Sequence, residues 1–88
     1  MDCSKEGTEK SGGSQAAAVI VFVSQTGATR LIFWLDASGQ RVYYGSLTPG
    51  SVLYVPTHPG NAWLVADVDA QCVGIFKTSA GSAAAYVP

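Results

Sequence analysis

Eighty-eight residues with a formal net charge of −1 can form one domain at most, and a chain this short buries only about 60% of the surface its unfolded form exposes. With 48% hydrophobic and 12% charged residues the chain is too apolar for intrinsic disorder, while no apolar run approaches the ~20 residues of a membrane-spanning helix. From Ala16 onward the charges Arg30, Asp36, Arg41, Asp67, Asp69 and Lys77 cancel, which leaves no basic stripe for nucleic acid or for an anionic membrane surface.

Residues 1–16 read as a flexible polar lead-in, rich in Gly, Ser, Lys and Glu, with no apolar core of a signal peptide. This leaves two localisations open, cytoplasmic or a trimmed secreted chain. Of the two cysteines, Cys3 falls in this lead-in and is expected to be free, and Cys72 opens an apolar run and is expected to be a small buried residue. A bridge between them is the less favoured alternative, since nothing else suggests a disulfide scaffold.

Residues 17–88 alternate short β-type runs with turn clusters. The expected strands are Ala18–Ser24, Thr29–Asp36, Arg41–Tyr44, Val52–Pro56, Ala62–Asp67, Cys72–Lys77 and Ala83–Val87. Between them lie Gly- and Pro-bearing clusters such as Thr48-Pro49-Gly50 and His58-Pro59-Gly60-Asn61, which are turns because Gly supplies positive φ and Pro presets φ. Seven short strands at this spacing predict an all-β fold, a small antiparallel β-sandwich.

Alternation then sorts the side chains into faces. In the second strand Leu31, Phe33 and Leu35 form a purely apolar set and are expected to face the core, with Trp34 on the face that carries Arg30 and Asp36. In the fifth, Trp63 shares its face with Val65 and Asp67. Each tryptophan therefore has two readings: a core plug, or a partly exposed aromatic platform of the type enriched in binding hot spots. Tyr43, Tyr44 and Tyr54 enlarge the aromatic supply.

The ordered set Trp34-Leu35-Asp36-Ala37-Ser38-Gly39, Tyr44, Leu47-Thr48-Pro49-Gly50 and Gly60-Asn61-Ala62-Trp63-Leu64 resembles the β domain of the von Hippel–Lindau family. The resemblance extends to the Val19–Val23 strand and the closing Tyr86-Val87-Pro88. It implies recognition of 4-hydroxyproline in an extended peptide, with Trp34, Tyr44 and Trp63 as aromatic walls. Thr57 stands where the family has a serine that reads the hydroxyl, Asn61 where it has a histidine, and His58 where it has a tyrosine beside the pocket. The chain ends at Pro88, where the family's helical domain would begin, so no elongin binding is expected.

The expected partner is thus a peptide or protein segment carrying proline or hydroxyproline, held at Trp34, Tyr44, Thr57, His58, Asn61 and Trp63, without a cofactor or metal. Catalysis is not expected, because the single histidine, His58, sits in a Pro-Gly turn and no nucleophile motif, carboxylate pair or phosphate loop accompanies it. Cys3, His58 and Cys72 lack metal-ligand spacing, and Asp67 with Asp69 reads as the polar end of a strand and its turn. The rival function is structural or assembly-related, with Trp34, Trp63 and Tyr44 completing a core or a homomeric interface. On the binding reading, Trp63→Ala is expected to remove binding and leave the fold intact.

Overall fold

A computed structural model describes residues 3–8, 10–12 and 16–88; the rest of the expected lead-in, at 1–2, 9 and 13–15, lies outside the described residues. Seven strands follow a short 3-10 turn at Cys3–Lys5: β1 (Ala18–Ser24), β2 (Arg30–Leu35), β3 (Arg41–Leu47), β4 (Val52–Thr57), β5 (Ala62–Ala66), β6 (Cys72–Lys77) and β7 (Gly81–Val87). They form two sheets, ordered β4-β1-β7 and β3-β2-β5-β6. The protein is a small all-β sandwich. Every strand pair is antiparallel except β1 with β7, which run parallel.

The β3 strand runs three residues past its expected end at Tyr44. Its last residue, Leu47, is 1% exposed and anchors in the core, so the strand ends only at the Thr48–Ser51 turn. There the Ser51 amide donates to the Thr48 carbonyl over 3.2 Å, and Gly50 takes a φ of 71° that a side chain would resist.

The core between the sheets is built on Phe22, Ile32, Leu47, Val55, Trp63, Val65 and Val87, with Trp34 packed against it. This reverses the expected facing of β2. Ile32 and Trp34 point into the sandwich, whereas Leu35 joins Ala62, Leu64, Ala66 and Ile75 in a second cluster, with Phe33 packed on it. Alternation cannot choose between two apolar faces, and here both faces of the four-stranded sheet are covered. Hence every residue of β5 is buried.

The cover is the N-terminal segment. Cys3 and Cys72 form a disulfide, which overturns the expectation that Cys3 is free. The Ser11 hydroxyl donates to the Leu35 carbonyl and accepts from the Ala62 amide at 3.0 Å, clasping β2 to β5. The Gly12 amide donates to the Gly60 carbonyl at 3.0 Å. The described part of the lead-in is therefore fastened to the body, because a polar strand of chain with one cysteine can be held by a crosslink and backbone hydrogen bonds without burying apolar side chains of its own.

Arg41 adds a further tie. Its Nε and Nη2 donate to the two oxygens of Glu6, and its Nη1 donates to the Ala70 carbonyl. The hydrogen bond from Arg41 holds the Glu6 carboxyl below its ordinary value of 4.5. A depressed folded-state value stabilises the fold above pH ~4.5 and stops doing so as pH falls through the folded value. The pair is partly exposed, so solvent screening limits it to about 1 kcal/mol or less. Urea unfolding at pH 7 and again below pH ~4 is expected to show a smaller acid-side loss for Arg41→Gln than for the wild type. An equal loss in both would mean that Glu6 gains nothing from Arg41.

Asp36 and Asp67 are used in turns. Asp36 Oδ1 accepts from the Ser38 amide and hydroxyl and from the Gln40 amide; Asp67 Oδ1 accepts from the Asp69 and Gln71 amides.

Candidate functional site

The site begins with a defect in the ladder. Ile32 pairs with Gly45 but Phe33 pairs with Tyr43, so Tyr44 is an extra residue in β3. Such a bulge bends the strand and re-aims a side chain. Tyr43 turns outward and stands edge-on to Phe33 at 5.8 Å. Tyr44 turns the other way, and its ring meets Trp63 edge-on at 5.2 Å with an interplanar angle of 87°. Trp34 lies directly across from Trp63 in the β2–β5 ladder, which brings the three aromatics together from three adjacent strands.

The polar side comes from the end of β4 and the turn after it. The Asn61 amide donates to the His58 carbonyl over 3.2 Å, and Gly60 adopts a φ of 89° beside the Gly12 backbone. An added Cβ at Gly60 would meet Gly12 Cα at 3.7 Å, so its backbone conformation rather than crowding is what favours glycine. The Asn61 side-chain amide donates to Thr57 Oγ1 at 2.8 Å, fixing both groups. His58 Nδ1 lies 2.6 Å from the Ala16 carbonyl. A carbonyl oxygen only accepts, so this nitrogen carries the proton, and in the neutral ring the Nε2 lone pair is left for another donor.

Trp34, Tyr44, Thr57, His58, Asn61 and Trp63 all line one solvent-open cavity of about 300 Å3. Val42, Tyr43 and Pro56 also line it and were not nominated from sequence. Val42 was legible, since alternation in the expected strand Arg41–Tyr44 puts it on the same face as Tyr44. The cavity opens where β3 and β4, the edge strands of their sheets, leave the sandwich unclosed. None of its lining residues is an acid, a lysine or an arginine, so it suits a neutral ligand group. A larger concavity of about 450 Å3 shares Pro56, Thr57 and His58, but its other walls are Ala17, Ala18, Val19, Gly81 and Ser82. It has no tryptophan or tyrosine, whereas the smaller cavity is lined by Trp34, Tyr43, Tyr44 and Trp63.

Burial divides the aromatics. Tyr44 is 47% exposed and Trp63 only 3%. The Trp63 indole N–H donates to Thr78 Oγ1 at 3.1 Å inside the protein, and its ring packs edge-on against Phe22 at 6.1 Å. Trp63 is both a core residue and the cavity floor. The expectation that Trp63→Ala spares the fold therefore gives way, whereas Tyr44 is a cavity wall that the core depends on less. Trp34 is half-buried and its side chain makes no hydrogen bond among the described residues. Among those residues no group of three or more His, Cys, Asp or Glu could hold a metal ion. No family model matches the chain, and comparison with curated proteins finds no match to it.

Proposed function

We propose that the protein is a peptide-binding module, akin to the von Hippel–Lindau β domain, that takes the ring of a proline or 4-hydroxyproline from an extended segment. One observation carries this reading: Trp34, Tyr44 and Trp63 converge with Thr57, His58 and Asn61 on one cavity that no acid, lysine or arginine lines. Its volume of about 300 Å3 is at the small end of ligand pockets, which span ~300–1,000 Å3. That suits a single rigid ring, which aromatic faces can hold at little cost in conformational entropy.

The polar groups suit a ring hydroxyl. Thr57 Oγ1 already accepts from Asn61, so its own proton can go to the ligand. The free Nε2 of His58 and the carbonyl oxygen of Asn61 can accept the ligand's proton. His58 thereby returns an imidazole to a pocket in which the family's histidine position holds Asn61. In the rival reading these aromatics complete a core, which fits Trp63, or a homomeric interface, which would have to cover the half-exposed Tyr44.

Tryptophan fluorescence titration with matched short peptides containing proline or 4-hydroxyproline tests the reading. Both are expected to saturate the signal, with the hydroxylated peptide bound about 3- to 10-fold more tightly, since one added hydrogen bond contributes roughly 0.5–1.5 kcal/mol. Equal affinities would remove the hydroxyl from the reading. Absence of binding to either peptide by folded protein would sink it.

A further inference from the structure

The two outer faces of the sandwich are treated differently. The chain covers the four-stranded sheet with its own N-terminal segment, but no described element covers the outer face of β4-β1-β7. On that sheet Ile20, Phe22, Val55, Ala85 and Val87 point into the core, so the alternate positions point out. They form three rows across the strands, read from the pairing registers: Pro56–Val19–Ser82, Tyr54–Val21–Ala84 and Val52–Val23–Tyr86. Tyr54 is 69% exposed, Tyr86 58% and Val52 51%. The rows contain no charged residue.

We infer that this face is the interface of a two-fold dimer in which the β4-β1-β7 sheets of two copies stack face to face. The shape of the rows carries the assignment of the partner. Each row is bulky on one side of β1 and small or smaller on the other, and the bulky side changes from β4 at Tyr54 to β7 at Tyr86. A two-fold axis running along β1 between the sheets lays β4 of one copy over β7 of the other. Tyr54 then stands over Ala84, Pro56 over Ser82 and Tyr86 over Val52, with Val21 meeting Val21 at the axis. A larger side chain meets a smaller one in every row, twice over by symmetry, as an isologous interface allows. Aligned sheet packing needs such interdigitation across about 10 Å.

Charge and area agree with a second copy as occupant. A face without charges meets itself without repulsion or desolvation of ions. With two large tyrosines and seven smaller side chains it offers on the order of 600 Å2 per copy, close to the ~800 Å2 per partner of a standard stable interface. The dimer is therefore expected to be reversible. The aromatic cavity opens at the β3–β4 side, and of its lining residues only Pro56 belongs to the three rows of this face.

Sedimentation velocity over a concentration series up to roughly 100 μM, where an interface at the small end of the specific range is populated, tests the assignment. Wild-type protein is expected to shift from monomer to dimer as concentration rises, and Tyr54→Lys to weaken association at least tenfold. Ala84→Tyr, which makes the face more apolar but fills the hollow for Tyr54, is also expected to weaken it at least tenfold. Tyr43→Lys, outside the face, should leave it unchanged. Near-ultraviolet circular dichroism checks that each variant is folded, and Tyr86→Ser is a second disruptive variant. A wild-type monomer throughout, a dimer indifferent to Tyr54→Lys, or an Ala84→Tyr protein that associates more strongly would each overturn the proposal.

Discussion

Reduction of the Cys3–Cys72 disulfide, or its replacement by Cys3→Ser with Cys72→Ser, is expected to cost the domain about 4 kcal/mol. The bond links residues 69 apart in sequence, and closing a loop of that length removes about 3–5 kcal/mol worth of unfolded-state freedom. A small domain has only about 5–15 kcal/mol in total, so the loss is a large fraction of its stability. Two further effects act in the same direction. The segment that Cys3 anchors shields the cluster of Leu35, Leu64 and Ile75, and it brings Ser11 to the backbone of Leu35 and Ala62. Thermal unfolding with and without reductant should therefore differ by roughly 15–30 °C, at about 4–8 °C per kcal/mol for a domain of this size. A shift of only a degree or two would mean that the N-terminal segment adds nothing to the fold.

The second large effect is at Trp63. Trp63→Ala is expected to destabilise the protein by about 3–5 kcal/mol, the usual cost of emptying a large aromatic site in a core. The substitution removes the edge contacts with Phe22 and Tyr44 and deprives the buried Thr78 hydroxyl of the indole N–H. Tyr44→Ala should behave differently. Its ring is about half exposed, so the stability cost should stay near 1 kcal/mol, while the cavity loses a wall. Urea unfolding of the two variants separates the effects. If Trp63→Ala unfolds at the wild-type urea concentration, Trp63 is not part of the core.

Much of this architecture was legible in the sequence because it rests on local rules. Turn clusters bounded the strands, so β1 and β6 begin and end where the pattern places them; Trp34, Tyr44, Thr57, His58, Asn61 and Trp63 were nominated by the resemblance to the von Hippel–Lindau β domain and not by a local rule. What was not legible is long-range. Parity along β2 separates Phe33 and Leu35 from Ile32 and Trp34, but which set faces the second sheet depends on what covers the other side, and that is decided by a segment some fifty residues or more away from β5 and β6 in sequence. The pairing of Cys3 with Cys72 is hidden for the same reason. The aim of Tyr44 depends on a bulge in β3; the isolated Gly45 beside it is a local signal for a bulge, but it does not say which neighbouring side chain is re-aimed. Pro56 reads in the sequence only as a strand end, although its place beside Thr57 puts it in the cavity wall.

The measurement that bears most directly on the cavity is a two-dimensional amide and indole nuclear magnetic resonance titration with a short hydroxyproline peptide, read at the Trp34 Nε1–H and at the Thr57, His58 and Asn61 amides. The expected result is a saturable shift confined to these signals and their neighbours around Tyr44, and its loss in folded Tyr44→Ala. Shifts that map elsewhere, or none in the folded wild-type protein, would contradict the assignment of this cavity as a proline-ring site.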